Sequence, residues 1–341
     1  MSPSLAARIN SRPTAPPYNS PEQKMRRFLR RTDIGIVIGC IFVFVLFSLL
    51  NPDQWFNWNT VHSISRYTAI LGLLAVGQTF VILIREIDLS VGSVYGIVGV
   101  AFIGLEHNFS VLFSFIAAML LALLIGLVNA SLVIRGQLSS MIVTLGGLFF
   151  YRGLVYVSTQ GAVGGIPRSA RENWLAQFFG GHWLRIENGF LLLLLVAFLS
   201  GITLYQTRFG NHLLALGGDP VSAESQGVPV NRIRTWAFCL CSLCVGFSAI
   251  VTLTNDPETN VSLGTGMELE SIAAVVVGGT LLTGGRGTML GTVLGAFFLT
   301  AVRSEIIALG APPSWYISFV GVALLIVVTI NTLLSKRLKS A

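Results

Sequence analysis

The stretch VLFSFIAAMLLALLIGLVNASLVI, from Val111 to Ile134, contains no charged side chain. A helix needs about 20 mainly apolar residues to cross the hydrocarbon core of a bilayer, so this run is long enough. A helix also satisfies every backbone N–H and C=O group within its own segment, which lipid requires. The stretch therefore predicts a membrane-spanning helix.

Similar apolar runs recur along the chain and predict about ten spans in an all-α membrane protein. The eighth run is short, and only Gly284–Gly287 separates it from the ninth, so this piece could be two spans or a re-entrant hairpin. Residues 34–335 are expected to form one transmembrane domain. Besides Val111–Ile134, the runs are Ile34–Leu50, Ile64–Ile84, Leu89–Leu105, Ser139–Ser158, Gly189–Gln206, Ile233–Leu253, Leu269–Thr283, Thr288–Leu309 and Ser314–Ser335.

Composition supports a protein whose solvent is lipid. The chain is 53% hydrophobic and only 11% charged, with a mean hydropathy of +0.75. Soluble domains have about 25% charged residues, so there is too little charge here to cover a soluble surface. The net charge of +7 does not indicate nucleic-acid binding, because the basic residues flank the apolar runs and no basic face with interleaved aromatics is visible.

The distribution of basic residues predicts the orientation. With the N-terminus inside, sixteen of the 22 Lys and Arg residues fall on the cytoplasmic side and three fall outside. Cytoplasmic loops carry such an excess. We expect cytoplasmic tails at 1–33, partly disordered, and at 336–341. The long loop 207–232 is expected inside, and the loop 159–188, with a short interfacial helix, outside.

The internal loop has a helix signature. Asp219 precedes Pro220, a combination that starts helices because the carboxylate accepts free N–H groups and proline suits the first position. Gly227 is a natural stop, and Gly217-Gly218 would permit a sharp chain reversal. A helix of two turns is unstable alone in water, so it makes sense if held against another element. An ordinary capped connector is the alternative.

Four stretches, in order along nearly the whole chain, carry a family resemblance. They are Val76–Ile82 with Glu86–Ser93, Thr144–Gly147 with Phe150–Gly153, Gly217–Val228, and Glu270–Thr280 followed by Gly284–Thr288. They resemble the permease subunits of bacterial ATP-binding cassette (ABC) importers for monosaccharides, of the ribose, xylose and rhamnose type. Two departures are Glu224, where the family usually has a basic residue, and Arg85-Glu86, where a glycine pair is common.

The resemblance implies a type II importer-like permease in the bacterial inner membrane. It would dimerise with a second copy or a paralogue, dock an ABC ATPase below and receive sugar from a periplasmic binding protein above. ATP and Mg²⁺ would be used by the ATPase, and this chain would bind no cofactor and catalyse no reaction. The implied coupling residues are Gly217, Gly218, Asp219, Pro220, Val221, Ser222, Ala223, Glu224 and Gly227.

The sequence itself excludes one kind of nucleotide site. It contains three lysines, Lys24, Lys336 and Lys339, and none follows a glycine. The phosphate-binding pattern with Gly-Lys-Ser/Thr is therefore absent. If ATP drives transport, a separate subunit must hydrolyse it.

Polar residues in or near the spans are candidates for two further sites. A translocation path could include Gln78, Asn129, Thr144, Arg152 and Asn255, although such groups more often bond between helices. Arg152 could instead snorkel to the external surface. Candidates for docking the binding protein, on the external side, are Asp256, Glu258, Glu268, Glu270 and Arg303.

Two other classes of protein are less consistent with the sequence. An ion-coupled secondary transporter would need buried carboxylates or broken helices near the midplane, and the sequence offers few. Asp88 is interpreted mainly as a helix N-cap, with ion binding together with Glu86 as the alternative. Neither an intramembrane enzyme nor a metal site is expected. The four histidines are scattered, and the grouped cysteines lack the spacing of a ligand set: His62, His107, His182 and His212; Cys239, Cys241 and Cys244.

Overall fold

Helix dominates the part of the chain that the computed structural model describes, and this confirms the predicted all-α membrane fold. The structure describes residues 34–160, 164–165, 173–183, 186–255, 258–259, 262–312 and 314–339. Within these ranges, the side chains of residues 34, 164–165, 258–259 and 330–339 are not described. The predicted tail at 1–33 lies outside the described residues.

The elements follow one another with short connections. The helices are α1 Ile34–Leu50, α2 Pro52–Trp55, α3 Trp58–Leu83, α4 Val91–Glu106, α5 Val111–Arg135, α6 Ser140–Thr159, α7 Trp174–Gly180, α8 Asn188–Gln206, α9 Arg208–Gly218, α10 Pro220–Ser225, α11 Val230–Asn255, α12 Met267–Val277, α13 Met289–Ala308 and α14 Ser314–Lys339. Two antiparallel pairs join β1 (Gly164–Gly165) to β4 (Glu258–Thr259) and β2 (His182–Trp183) to β3 (Ile186–Glu187).

Six of these helices are long and apolar enough to cross a membrane, and three shorter apolar stretches lie in α1, α4 and α14. The predicted span Leu269–Thr283 is only partly helical. Its helix α12 has 11 residues and is therefore about 16 Å long, roughly half of a hydrocarbon core of about 30 Å. Both the re-entrant alternative and the count of ten spans stay predictions.

The two most buried helices, α3 and α11, pack against each other at the centre. Each of these two helices also packs on the two helices that follow the other one in the chain. Helix α11 packs on α4 and α5, and α3 packs on α12 and α13. Apolar side chains on the outer helices are exposed, among them Phe42, Phe149, Phe198 and Leu325. Such a surface suits lipid and not water.

Both long loops contain helices. In the external loop, α7 is the predicted short helix, begun by the Asn173 side chain, which accepts the N–H of Leu175 at 3.2 Å. In the internal loop, α10 is the predicted two-turn helix, but the preceding α9 was not anticipated. Helix α14 continues four residues past the predicted end of the last span at Ser335.

Candidate functional site

Helix α10 begins as its sequence predicts. One carboxylate oxygen of Asp219 accepts the backbone N–H groups of Val221 and Ser222 at 3.1 and 3.3 Å. The other accepts the Ser222 hydroxyl at 2.6 Å. These hydrogen bonds, first those of Ser222, hold the pKa of Asp219 below its ordinary value. The cap therefore persists at neutral pH, where the carboxylate is charged.

The end of α10 also follows the prediction. Gly227 has a φ of +81°, which an L residue rarely adopts, and its N–H donates to the Glu224 carbonyl at 2.9 Å. The Val221 side chain is 78% exposed, whereas Ala223 is only 4% exposed. Among the predicted coupling residues, Ala223 thus packs within its own chain, and Val221 is the apolar side chain open to a partner.

Gly217 lies where three backbones meet, and this is the glycine that the geometry requires. A Cβ atom on Gly217 would overlap the carbonyl oxygen of Leu83 and lie 2.5 Å from the backbone nitrogen of Gly285. That nitrogen donates to the Leu83 carbonyl at 2.9 Å. Gly218 has open space around its Cβ position, and its φ is not positive. The predicted chain reversal therefore does not use a left-handed backbone at Gly218: it is made by extended backbone at Asp219.

Arg85 fastens this three-way contact, which we call the glycine junction (Leu83, Gly217, Gly218, Gly284 and Gly285). Its Nε donates to the Gly217 carbonyl at 2.7 Å, and its Nη2 donates to the Gly218 carbonyl. The end of α3, the α9–α10 turn and the loop between α12 and α13 are thereby joined. A motion of α10 would be transmitted directly to α3 and α12.

The irregular segment between α3 and α4 carries a buried polar network centred on Asp88. The N–H and O–H of Ser90 donate to one carboxylate oxygen of Asp88 at 2.8 and 2.6 Å. Asn129 donates to the Ser90 hydroxyl at 2.9 Å and accepts the Tyr151 hydroxyl at 2.8 Å. Gln78 donates to the Asp88 backbone carbonyl at 2.9 Å. Ser90, and not Asp88, is the residue at the N-cap of α4.

The backbone of the same segment is held by α6. Thr144 donates to the Ile87 carbonyl at 3.2 Å and accepts the Leu89 N–H at 3.0 Å. Ser140 accepts the Ile87 N–H at 3.3 Å. Irregular backbone at membrane depth is tolerated only where the protein satisfies it. The predicted path residues Gln78, Asn129 and Thr144 are fully buried; Gln78 and Thr144 bond the backbone of this segment, and Asn129 bonds the Ser90 side chain.

Arg152 joins the start of α4 to the turn before α12. Its Nη1 donates to the Leu263 carbonyl at 2.6 Å and its Nη2 to the Gly92 carbonyl at 3.1 Å. The Glu268 carboxylate lies beside Gly92, where a Cβ atom would overlap it. The interpretation that Arg152 snorkels to the external surface is wrong, because its guanidinium reaches backbone oxygens of neighbouring segments instead.

The predicted docking residues differ in their surroundings. Glu270 pairs with Arg303 at 3.9 Å and accepts the Tyr316 hydroxyl at 3.4 Å. The Arg303 guanidinium also lies over the Tyr67 and Tyr316 rings, 4.8 and 5.3 Å from their centroids. Asp256 lies outside the described residues, and of Glu258 only the backbone in β4 is described.

Asn255, the last candidate for the path, ends α11. Its side-chain amide donates to the Val251 carbonyl one turn back, at 2.9 Å. It is half-buried and lies at the opposite end of α11 from the loop 207–232. The structure therefore does not bring Asn255 together with the Asp88 network, and the five candidates do not form one site.

Comparison with known proteins identifies the family. A family profile described as "Branched-chain amino acid transport system / permease component" matches residues 60–329. The ribose import permease protein RbsC of Escherichia coli K12 is 30% identical over 298 residues, covering 86% of this chain and 92% of that protein. The autoinducer 2 import system permease protein LsrC of Photorhabdus laumondii is 34% identical, covering 86% and 87%.

A third relative agrees: LsrC of Klebsiella pneumoniae is 33% identical over 317 residues, covering 92% of this chain and 90% of that protein. The matched region includes the Asp88 segment, the glycine junction and α10. The fold, with its apolar helices, agrees with a membrane permease. The chain therefore belongs to the family of transport-system permease components and is a multi-pass membrane permease.

Proposed function

We propose that this chain is the permease subunit of an ABC importer that admits a monosaccharide or a sugar-like solute across the bacterial inner membrane. The relatives that match over most of their length are named for the import of ribose and of autoinducer 2. Transport would proceed by alternating access in a dimer of permeases. A periplasmic binding protein would deliver the solute, and an ATPase below would supply the energy.

The proposal rests on one observation: helix α10 is exposed and is held in place by hydrogen bonds. Helix α10 has six residues, so it is far too short to be stable by itself. It is nevertheless fixed at one end by Asp219 and tied through Arg85 to the end of α3. Its Val221 side chain points away from the chain. A rigid, exposed helix connected to the central spans is what an ATPase needs to move them.

ATP hydrolysis is assigned to a different subunit. The sequence has no glycine followed by lysine, so the common phosphate-binding loop has no counterpart. Mg²⁺ and ATP would be bound by the ATPase. This chain would contribute the path and the coupling helix.

Two features of the structure bear on the alternative of an ion-coupled secondary transporter. Asp88 is fully buried between α3 and α4, and α12 is a half-length helix. Secondary transporters use such features to bind ions. Here Asp88 accepts two hydrogen bonds from Ser90, and Glu86 pairs with Arg234 at 3.3 Å. These contacts serve the packing of the segment, and the family relationship favours the ATP-driven system.

Uptake into proteoliposomes distinguishes these two energy sources. Vesicles would contain the permease with its ATPase, with the binding protein and radiolabelled ribose outside. Uptake should require enclosed ATP and Mg²⁺ and should persist when a protonophore and a sodium ionophore collapse ion gradients. Permease alone should hydrolyse no ATP. Uptake that follows an imposed proton or sodium gradient without ATP would contradict the proposal.

A further inference from the structure

Two histidines and a glutamate meet at the outer end of α3. His62 lies on the first turns of α3, His182 on β2, and Glu187 on β3, directly before α8. His182 Nε2 lies 3.0 Å and His62 Nδ1 lies 3.5 Å from the same Glu187 carboxylate oxygen. One ligand atom from each residue lies within 4.8 Å of the others. His62 is distant in sequence from the other two residues, so only the fold brings it to them.

The hairpin explains why two of them face each other. Strands β2 and β3 are antiparallel, and His182 is directly opposite Glu187. Side chains of opposed residues project from the same face of the pair. The two imidazole rings are 5.2 Å apart, centroid to centroid, so His62 approaches that face from α3. The three side chains converge on one point from two separate elements.

Glu187 is an unusual carboxylate for its position. It occupies the N-cap of α8, but its side chain caps no backbone N–H group. The side chain is only 7% exposed. Its second oxygen, Oε2, is buried without a hydrogen-bond partner among the described residues, as is His62 Nδ1. Buried polar atoms are nearly always satisfied, so this carboxylate has binding capacity that the described residues do not use.

Imidazole nitrogen and carboxylate oxygen together are typical ligands of zinc. Zn²⁺ binds both at about 2.0–2.2 Å, and tetrahedral geometry then separates the ligand atoms by about 3.4 Å. The distances from Glu187 Oε1 to the two imidazole nitrogens, 3.0 and 3.5 Å, lie on either side of this value, and all three ligand atoms lie within 4.8 Å of one another. His182 is 52% exposed, which leaves a side open to solvent for entry and for a water ligand. Harder ions such as Mg²⁺ and Ca²⁺ prefer oxygen ligands.

We propose that His62, His182 and Glu187 form a zinc-binding site on the external face of the permease. The ion would take one ligand from α3 and two from the hairpin that leads into α8. It would thereby fasten the hairpin to the outer end of a central helix. Neither the sequence resemblance nor the family assigns a metal to this chain, and the proposal is independent of the transported solute.

Calorimetric titration with Zn²⁺ tests the site directly. The full chain would be purified in detergent through a tag without histidine, treated with chelator and titrated at a fixed pH of about 7.5, because metal affinity depends on pH. We expect one Zn²⁺ per chain and no heat from Mg²⁺ or Ca²⁺. The variants His62→Ala, His182→Ala and Glu187→Gln should each weaken affinity at least tenfold.

Three controls keep this test decisive. His107→Ala removes an exposed histidine at the outer end of α4 and should leave affinity unchanged. His62→Cys supplies another zinc ligand and should retain binding. Zn²⁺ should also raise the melting temperature of the wild-type chain and not that of Glu187→Gln, because a ligand stabilises only the state that binds it. The four native cysteines are buried and should not compete.

The contrary outcomes are equally clear. No binding by the wild-type chain would leave a His182–Glu187 hydrogen bond with His62 beside it and would overturn the proposal. Equal binding by the wild type and by all three alanine and glutamine variants would place the zinc elsewhere and overturn it too. Loss of sugar uptake has no bearing on this result, because the measured quantity is zinc affinity of the permease alone.

Discussion

Replacing Gly217 with valine is expected to reduce ATP-driven uptake at least tenfold. The new Cβ atom would overlap the carbonyl of Leu83 and crowd the backbone of Gly285. Both obstacles are backbone atoms, so no change of rotamer relieves them, and the α9–α10 turn must separate from α3. The measurement is initial uptake of radiolabelled sugar, normalised to permease in the membrane.

Gly218→Ala is the matched control for this change. It lies next in the chain, and its Cβ position has open space. Its φ is not positive, so alanine meets no backbone strain. Uptake should stay within twofold of the wild type. Equal loss in both variants, or normal uptake with valine at Gly217, would show that the glycine junction does not transmit motion.

Replacing Arg152 with leucine is expected to have the second-largest effect. The carbonyl groups of Leu263 and Gly92 would lose their donors, and Glu268 would lose a nearby positive charge. A buried acceptor without a partner costs about 1–3 kcal/mol. We expect the free energy of unfolding to fall by roughly 2–4 kcal/mol, and uptake to fall about tenfold even where the protein remains in the membrane.

Arg135→Met is the control for loss of a positive charge. Arg135 is exposed in the last turn of α5, where its charge contributes only a weak helix-dipole interaction. Its melting temperature and uptake should remain near those of the wild type. Arg152→Lys should recover part of the stability, since one ammonium can reach one carbonyl but lacks the two-pronged geometry. A leucine variant as stable as the wild type would contradict the assigned contacts.

The sequence predicted α10 correctly because a short capped helix depends on neighbouring residues. The start of α10 needs the Asp219 carboxylate and Pro220, and its end needs a residue that tolerates the positive φ of Gly227. Each of these residues can be recognised in the sequence. The apolar runs likewise predicted their helices, because lipid leaves the backbone few alternatives. In these parts local chemistry and the final fold agree.

The errors and omissions occur where distant segments meet. Gly217 and Gly218 are equivalent in the sequence, and only the approach of Leu83 and Gly285 distinguishes them. The adjacent pair Gly284-Gly285, both with positive φ, was the available signal for a close backbone contact. In the sequence, Arg85 stands out only as a departure from the family pattern. In the structure, its side chain donates hydrogen bonds to two carbonyl groups of the glycine junction.

The polar residues of the spans show the same limit. A sequence gives Gln78, Asn129 and Thr144 as polar groups in apolar runs, but it cannot assign them to the irregular segment between α3 and α4. The His62–His182–Glu187 group was missed for the same reason, because no spacing rule connects α3 to a hairpin far along the chain.

The central claim is that the ATPase grips α10, and Val221→Asp tests it most directly. Aspartate in the first turn favours a helix, so α10 should persist while its exposed apolar side chain is lost. Asn211→Asp adds the same charge to an exposed position of α9 as a control.

The measurement is binding-protein-stimulated ATP hydrolysis by the reconstituted complex, together with the amount of ATPase that co-purifies with the permease. The account predicts that Val221→Asp lowers both at least fivefold at a normal permease level in the membrane, and that Asn211→Asp changes neither. Wild-type hydrolysis and ATPase recovery with Val221→Asp would contradict it.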